Sequence, residues 1–424
     1  MKMEIEHRTG IVALVILVVI LVTSGCQYQG TTQSGSYKML YDFQSASLHP
    51  QYVLYHFSND SSRIYFRVKS DELLYTRTTS ESPFLANFKI ECRSYKPDGI
   101  LEDSTSVVIT DQSRSSGGWL IGHMNVLMPQ GMHNVVLDCS DLKKNTSQTN
   151  YITADKLSHY SDQNFLVCDA HNDEPLFSRF FQSDRVIKIL SDRNKSNTLK
   201  MNHYTDSIYP PPPPFSSSDP EMPDYSKSAE ETLEQDSTAW YLLIEKGMYF
   251  ISADPEKKAG LLLSTSSVYY PEIKGLSQLT SPLRYITTKS EFEEIKSHYF
   301  PKKKIDEFWI ECGGNKDRAR DLIRIYYNRV EEANYYFSNY TEGWRSDRGM
   351  IHIVFGNPTR IVKQQTYETW IYGEEGQAGT LTFVFKKSEN PNFPNVFVLN
   401  RDPGFKQFWE KQVTSWRSGR IYNE

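Results

Sequence analysis

Runs in which apolar and polar residues alternate follow one another along the first part of the chain, and turn-forming residues separate them. Such alternation is typical of strands with one buried face, and its repetition at short intervals is typical of an antiparallel β-sandwich. Residues 37–170 are therefore predicted to form a β-sandwich-like module. Between two of its runs, Met128-Pro-Gln-Gly-Met132 supplies the proline and glycine of a hairpin turn. The clearest runs are 62–69, 84–92, 106–110, 119–127 and 135–139.

A second group of strand-like runs predicts a second β module over residues 171–285. Glu245-Lys-Gly247 lies between two of these runs, at 239–244 and 248–251, and predicts a hairpin there.

Residues 205–237 interrupt the second module. Five consecutive prolines occupy positions 210–214, and serine and glutamate are frequent in the remainder. This composition buries too little apolar surface to fold by itself, and proline favours an extended left-handed helix. We therefore expect a tolerated surface insertion, and the functional alternative is a partner hook or a semi-rigid spacer.

The apolar spacing changes to steps of three and four residues after residue 286, which predicts helices. Thr288-Lys-Ser-Glu291 has the spacing of an N-terminal capping box, and a long helix is predicted over 316–337. Alternating runs then predict an antiparallel sheet, and the apolar positions within 408–416 predict a terminal amphipathic helix. Residues 286–424 are thus expected to form an α+β domain, which makes the whole chain multidomain and mainly β.

A charged turn beginning at Gly343 is followed by an apolar run within this domain. Gly343 is expected to take a backbone angle that other residues avoid, and Trp344 carries an indole N–H that needs a partner. We expect Asp347 to accept backbone N–H groups in the turn and Arg348 to pair with a carboxylate. The apolar run Met350–Phe355 is predicted to be a strand.

The N-terminal region carries an apolar run that is followed by small residues and a cysteine. The apolar run at 11–22 is too short to span a bilayer as a helix and is typical of an export signal. The small residues after it end at Cys26 and resemble a lipobox, which implies removal of a signal peptide, residues 1–25, and acylation of Cys26. Residues 26–36 are polar and rich in glycine and serine, which is typical of a flexible tether.

The same resemblance bears on location. Gln27 stands where many lipoproteins of the inner membrane have aspartate, and no acidic run follows Cys26. We therefore expect an outer-membrane lipoprotein of the cell envelope that faces the periplasm, with exposure at the cell surface as the alternative.

Charge and cysteine content exclude several other classes. The net charge is only -5 and no long basic run occurs, which argues against a nucleic-acid surface. No Cys-x-x-Cys pair or Cys/His ligand spacing occurs, so neither a metal site nor a cofactor is expected. Cys92 is a candidate disulfide partner of Cys139 or Cys168 in an exported chain, and lone buried thiols are the alternative.

Catalytic groups are sparse. Asp347, Arg348 and His352 can take part in acid-base chemistry, but no second carboxylate or nucleophile lies at a recognisable spacing. The sequence has no nucleophile elbow, phosphate-binding Gly-Lys-Ser/Thr loop or His-Glu-x-x-His motif. The motif is therefore expected to be structural or partner-binding.

A short pattern, Asp-Ser followed by Thr or Ile, occurs three times and resembles the O-glycosylation acceptor of Bacteroidota. The candidate acceptors are Ser104, Ser207 and Ser237.

Four motifs stand out in the C-terminal part, and they are Arg329-Val-Glu-Glu-Ala-Asn334, Gly343-Trp-Arg-Ser-Asp-Arg348, Phe355-Gly-Asn-Pro358 and Glu368-Thr-Trp370. Together they resemble the GWxTD-domain family, which occurs in Bacteroidota and some other bacteria. Ser346 stands where the family name has threonine and keeps the hydroxyl. The family has no well-established activity, so the resemblance implies an architecture. The candidate interaction or structural residues are Gly343, Trp344, Ser346, Asp347, Arg348, Gly349, Gly356, Pro358 and Trp370.

We therefore expect a membrane-anchored envelope lipoprotein that serves as an interaction or assembly component, with an envelope protein as its partner and without catalysis of its own. One alternative is an envelope hydrolase or carbohydrate-active enzyme centred on residues 343–358. That alternative requires a pocket lined by Asp347, Arg348 and another carboxylate. The second alternative is a glycan-binding module, which requires a row of exposed Trp or Tyr side chains on one sheet face.

Overall fold

A computed structural model describes residues 35–36 and 48–422. Its internal gaps are 113–117, 192–197, 206–208, 222–228, 235–240, 244, 255, 257–258, 365, 375–376, 378, 391–392 and 394–395. The predictions for the signal peptide, for Cys26 and for Ser207 and Ser237 lie outside the described residues. The first described strand is β1 (Gly35–Ser36).

Two antiparallel sheets form the first module. One has the order β2-β3-β6 and the other the order β5-β4-β7-β8. Alternate side chains of β3 and β4 are buried, and the rings of Phe66 and Phe88 meet edge to face with centroids 6.4 Å apart in the core between the sheets. The predicted sandwich is confirmed. The strands are β2 (Gln51–Tyr55), β3 (Ser61–Lys69), β4 (Ala86–Tyr95), β5 (Leu101–Asp111), β6 (Trp119–Leu127), β7 (Met132–Asp141) and β8 (Thr146–Asp155).

The predicted hairpin at Met128–Met132 is wrong. β6 pairs with β3, whereas β7 pairs with β4 and β8, so these residues carry the chain from one sheet to the other. Proline and glycine mark a change of direction at this point, but they do not determine which strands pair.

The second module also has two sheets, of order β10-β16-β15-β12-β13 and β14-β11-β9. β10 and β16 pair in parallel, and every other strand pair in the two sheets is antiparallel among the described residues. The strands are β9 (Leu166–Asp169), β10 (Phe180–Gln182), β11 (Arg185–Leu190), β12 (Thr198–Tyr204), β13 (Ala229–Glu234), β14 (Tyr241–Leu243), β15 (Gly247–Ser252) and β16 (Leu261–Ser266).

One prediction for this module is wrong and another is incomplete. Glu245–Gly247 does not form a hairpin, because β14 pairs with β11 while β15 pairs with β12 and β16. The stretch 205–237 is also not wholly without structure, because it contains β13, which pairs with β12 from Thr198↔Glu234 to His203↔Ala229. Backbone pairing with an existing strand orders a segment whose side chains could not form a core alone.

The C-terminal domain combines helices with a five-stranded antiparallel sheet of order β1-β17-β18-β19-β20. The predicted long helix at 316–337 and the capping box at Thr288–Glu291 are confirmed. The elements are α1 (Leu276–Thr280), α2 (Lys289–Ser297), α3 (Pro301–Gly313), α4 (Lys316–Phe337), α5 (Asp347–Phe355), β17 (Arg360–Lys363), β18 (Tyr367–Tyr372), β19 (Leu381–Lys387), β20 (Phe397–Leu399) and α6 (Phe405–Arg417).

The strand predicted at Met350–Phe355 is instead the main part of helix α5. Residues Met350 through Val354 are all buried, so this helix has no solvent-exposed face over that run. A short apolar run of this kind is compatible with either a buried strand or a buried helix, and periodicity cannot distinguish them.

One large apolar core holds this domain together, and three of its members are the fully buried Trp309, Trp370 and Trp416. The indole N–H of Trp416 on α6 donates to the carbonyl of Val354 on α5 at 3.0 Å. Across the part of the chain that the structure describes, no helix combines the length and apolar character needed to cross a bilayer.

Candidate functional site

Two glycines allow the motif turn to pack backbone against backbone. A Cβ atom on Gly343 would lie 1.8 Å from the carbonyl oxygen of Ala333 on α4, and one on Gly349 would lie 2.0 Å from the carbonyl oxygen of Gly343. The predicted need for an unusual backbone angle at Gly343 is wrong, since its φ lies outside the left-handed region. Gly343 and Gly349 are required because there is no room for a side chain.

Trp344 ties this turn to the neighbouring helices. Its backbone N–H donates to Oδ1 of Asn334 at 3.2 Å, and its indole N–H donates to Oε2 of Glu342 at 3.0 Å. Its carbonyl accepts the hydroxyl of Tyr285 at 2.8 Å, and the two rings meet edge to face. Trp344 is therefore a buried anchor whose polar groups are all engaged within the chain.

Ser346 and Asp347 have different tasks. The hydroxyl of Ser346 caps α5 by accepting the N–H of Gly349 at 3.0 Å. The carboxylate of Asp347 instead accepts the N–H of Leu399 at 2.8 Å and pairs with Arg401, whose Nη1 is 3.2 Å away and whose Nη2 also donates to it. The prediction that Asp347 binds N–H groups of its own turn is wrong.

The Asp347–Arg401 pair is buried, with side chains 1% and 4% exposed. Burial raises the pKa of Asp347, and the adjacent Arg401 guanidinium opposes that rise. Two hydrogen-bonded opposite charges in such a site hold each other in one geometry, and removal of either leaves the other uncompensated.

Arg348 forms a second buried pair. Its Nη1 donates to Oε2 of Glu368 on β18 at 3.1 Å, and its guanidinium carbon lies 4.4 Å from the ring centroid of Phe397. Lys363 is the cross-strand partner of Glu368 in the β17–β18 register. Burial lowers the pKa of Lys363, and the negative charge of Glu368 opposes that shift.

His352 pairs with an acidic residue of helix α4. Its Nε2 lies 2.9 Å from Oε2 of Glu332 on α4, and its ring is buried against Phe337. Burial lowers the pKa of His352, whereas the hydrogen bond to Glu332 acts in the opposite direction. The structure thus distributes Asp347, Arg348 and His352 among three separate partners.

The remaining motif residues form the end of α5 and the sheet beneath it. Gly356 has φ +79, and a Cβ there would lie 2.5 Å from Nη2 of Arg329. Its carbonyl accepts the hydroxyl of Tyr372 at 2.9 Å. Pro358 is buried after it, and Trp370 on β18 packs its ring against those of Phe337 and Phe385.

Part of the proline-rich insertion reaches this site. We call residues 209–221 the strap. Nη2 of Arg401, which also binds Asp347, donates to the carbonyl of Pro212 at 3.1 Å, and the N–H of Asp402 donates to the carbonyl of Pro214 at 3.1 Å. Arg401 is a site residue that no sequence motif indicated. The one sequence feature that could have indicated this contact is Phe215, an aromatic residue directly after the prolines that can pack against the domain.

The predicted disulfide is not formed. Cys92, Cys139 and Cys168 are separate buried free thiols, which was the alternative. Burial raises the pKa of Cys92 to about 12 and that of Cys168 to about 11, so these thiols stay protonated. Ser104 is exposed on β5. No cluster of His, Cys, Asp and Glu suited to a metal ion occurs within the described ranges.

Fold and site together define a mainly β, multi-module protein with a C-terminal α+β domain organised around a buried turn. Residues 247–418 match the sequence model of the GWxTD domain, and this range runs from β15 to just beyond α6. The chain therefore contains a GWxTD domain over these residues, as the motifs predicted.

Comparison with curated proteins gives no match. One similar solved structure is a β-glucuronidase from glycoside hydrolase family 2, with 14% identity over 26% of this chain and 11% of that one and a TM-score of 0.17. A glycosyl hydrolase family 2 member from Bacteroides cellulosilyticus has 12% identity over 28% of this chain and 15% of that one, with a TM-score of 0.19.

A β-glucuronidase from Bacteroides uniformis has 13% identity over 32% of this chain and 16% of that one, with a TM-score of 0.17. The chain therefore spans only 11% to 16% of the length of these three enzymes. At these TM-scores the likeness bears on neither the fold nor the activity of this chain.

Proposed function

We propose that this protein is a membrane-anchored lipoprotein of the cell envelope that acts as an interaction or assembly component. The lipobox-like stretch ending at Cys26 supports the anchor, and the residues after it support a periplasm-facing position on the outer membrane. An acylated N-terminus followed by stacked β modules suits a protein that presents surfaces to partners near a bilayer.

The observation that carries the interaction role is the internal use of the motif's charges. Asp347 pairs with Arg401, Arg348 with Glu368 and His352 with Glu332. The Asp347–Arg401 and Arg348–Glu368 pairs are buried, whereas Glu332 beside His352 is 38% exposed. A buried pair must be broken before either member can reach a substrate, and loss of one partner typically costs about 3–5 kcal/mol. Charged groups held in this way suit a structural junction that fixes the positions of the neighbouring helices and strands, and with them the surface that a partner would bind.

Neither alternative has an observation in its favour. A hydrolase centred on residues 343–358 requires Asp347 and Arg348 to face a pocket, whereas both are engaged within the chain. A glycan-binding sheet requires exposed aromatic side chains in a row. The exposed tyrosines among the described residues lie outside the strands, at Tyr209, Tyr269, Tyr299 and Tyr422.

Affinity purification from crosslinked membranes tests the proposed role. Tagged wild type and Asp347→Ala are compared, with Asp317→Ala as the control because the Asp317 side chain is 91% exposed. We expect one defined envelope protein to be recovered in near-stoichiometric amount with wild type and Asp317→Ala, and to be lost with Asp347→Ala. Thermal melts show whether that loss reflects unfolding. Failure to recover any stable protein partner with wild type would contradict the assembly role.

A further inference from the structure

The buried prolines of the strap recur at a spacing of three. Pro211 and Pro214 are buried, whereas Pro213 between them is exposed. A polyproline II helix has about three residues per turn, so residues three apart lie on the same face. This burial pattern is the one expected when an extended proline helix lays one face on a surface, as in domains that recognise Pro-x-x-Pro segments.

The contacting surface supplies what a proline segment can bind. Proline lacks an N–H group, so its carbonyl oxygens are its hydrogen-bonding groups. Arg401 donates to the carbonyl of Pro212, and the Asp402 N–H donates to the carbonyl of Pro214. Both donors lie in the short connection between β20 and α6.

An aromatic contact completes the surface. Phe215 packs edge to face on Trp409 of α6, with ring centroids 6.5 Å apart. Trp409 in turn packs against Phe355 at the end of α5, with ring centroids 6.1 Å apart. Aromatic side chains beside carbonyl-binding donors are the usual composition of a proline-recognition groove.

We propose that Arg401, Asp402 and Trp409 form a binding site for extended proline-rich segments, and that the chain's own strap is the ligand that occupies it. Asp347 is a positioning residue of this site, because its carboxylate holds the Arg401 guanidinium that reaches Pro212. The inference deepens the proposed interaction role by naming a ligand class, and to that extent it rests on it.

Part of the strap's length is open to solvent. Tyr209 at its start is 71% exposed, and Pro213, Ser217 and Asp219 are exposed as well, although the Asp219 carboxylate lies 3.7 Å from Nη1 of Arg401. A surface segment of this kind opens at lower free energy than the buried core. A tethered ligand is nevertheless present at an effective concentration of roughly millimolar, so a free segment must compete with it.

Peptide binding to a variant with a vacated site tests the inference. In the full chain, residues 210–215 are replaced by a Gly/Ser segment of equal length. A fluorescent peptide of residues 209–219 is titrated and followed by anisotropy. We expect this peptide to bind the vacated variant at least about tenfold more tightly than wild type, because the tethered strap no longer competes.

Two altered peptides test the spacing. Replacement of the buried pair, Pro211→Ala with Pro214→Ala, is expected to abolish binding. Replacement of Pro210→Ala with Pro213→Ala alters two prolines outside the buried positions and is expected to weaken binding only slightly. Equal binding of both altered peptides, or no binding of the native peptide to a vacated variant that melts cooperatively, would overturn the inference.

If the full replacement does not fold, the same titration is made on Phe215→Ala, which keeps the strap and removes its aromatic contact. Peptide binding tighter than in wild type supports the site, and unchanged binding overturns it. The two proposals fail separately. Peptide binding without a membrane partner counts against the assembly role alone, and a membrane partner without peptide binding counts against the proline site alone.

Discussion

The residues of the motif act mainly by fixing distances between backbones. Gly343 brings its turn against α4, and Gly349 brings α5 against that turn, at distances that leave no room for a methyl group. Overpacking of a rigid interior usually costs about 1–3 kcal/mol. Backbone atoms on both sides of this contact cannot move aside as a flexible side chain can.

Substitution of Gly349 tests this reading. We expect Gly349→Ala to lower the free energy of unfolding by about 3 kcal/mol, at the upper end of the usual range, because the new methyl group would meet backbone atoms. Gly404→Ala is the matched control, since Gly404 is exposed, has a helical φ of -61 and would meet only a carboxylate oxygen of Asp402 at 3.0 Å. Urea unfolding measures both. Equal midpoints for the two variants would contradict the close-packing account.

Sequence reasoning found the motif residues but misassigned some of their partners. A carboxylate partner was predicted for Arg348, and the structure shows that it is Glu368. A partner was also predicted for the indole N–H of Trp344, and the structure shows that it is Glu342. Sequence reasoning placed the partners of Asp347 in the local turn, whereas the carboxylate binds groups 52 and 54 residues further along the chain. Contacts between residues so far apart in sequence depend on the tertiary fold, and no local motif in the sequence predicts them.

Helices with a clear polar face were predicted from sequence, and a buried helix was not. α4 carries an apolar stripe beside charged residues, which is why its predicted bounds are confirmed. α5 is buried along Met350–Val354, so its apolar run carries no helical period. The N-terminal cap formed by Ser346 is the one local feature that distinguishes this helix from a strand. In the sequence, Ser346 instead suggested part of a turn.

Helices α2 and α6 are joined by an ion pair that should respond to pH. Arg417 donates to both carboxylate oxygens of Glu291, at 2.9 and 2.7 Å, and this bonding lowers the pKa of Glu291 from 4.5 to about 2. Since the folded pKa is the lower one, the stabilisation is complete above about pH 4.5 and is lost as the pH falls towards about 2.

We therefore expect Glu291→Gln to lower the free energy of unfolding by about 1 kcal/mol at pH 6.5, because glutamine can keep the capping box but loses the charge pair. The difference from wild type should shrink steadily as the pH is lowered from 4.5. Glu293→Gln, at an exposed position of the same helix, is the control and should match wild type throughout. Urea midpoints across the pH range give the comparison, and a constant difference would count against the ion pair.

At the scale of the whole molecule, the sequence indicated the modules more reliably than their connections. Alternating runs identified the β-rich body, and apolar steps of three and four residues identified the helices of the C-terminal domain. The two predicted hairpins fail because β6 and β7, and likewise β14 and β15, belong to different sheets. Consecutive strands pair often, but a sandwich also needs connections that pass between its sheets, and turn residues occur in both cases.

The proposed anchor gives a prediction for the intact protein. Wild type is expected to sediment with membranes and to resist extraction at high salt and alkaline pH, because several acyl chains hold far more firmly than one. Cys26→Ser removes the acylated sulfur and should move the protein to the soluble fraction. Gln27→Ser introduces the same side chain one position later and should behave as wild type. Equal membrane retention of all three proteins would contradict the anchor.

The shared guanidinium of Arg401 has a thermodynamic consequence. Nη2 donates both to Asp347 and to the Pro212 carbonyl, so a single side-chain orientation satisfies the motif and the strap together. Where two ligands depend on one orientation, whatever strengthens one must strengthen the other by the same factor. A change that weakens the Asp347–Arg401 contact would therefore also weaken the binding of the strap, and the reverse would hold as well. A spectroscopic probe near Trp344, in the motif turn, would then report whether the strap is bound.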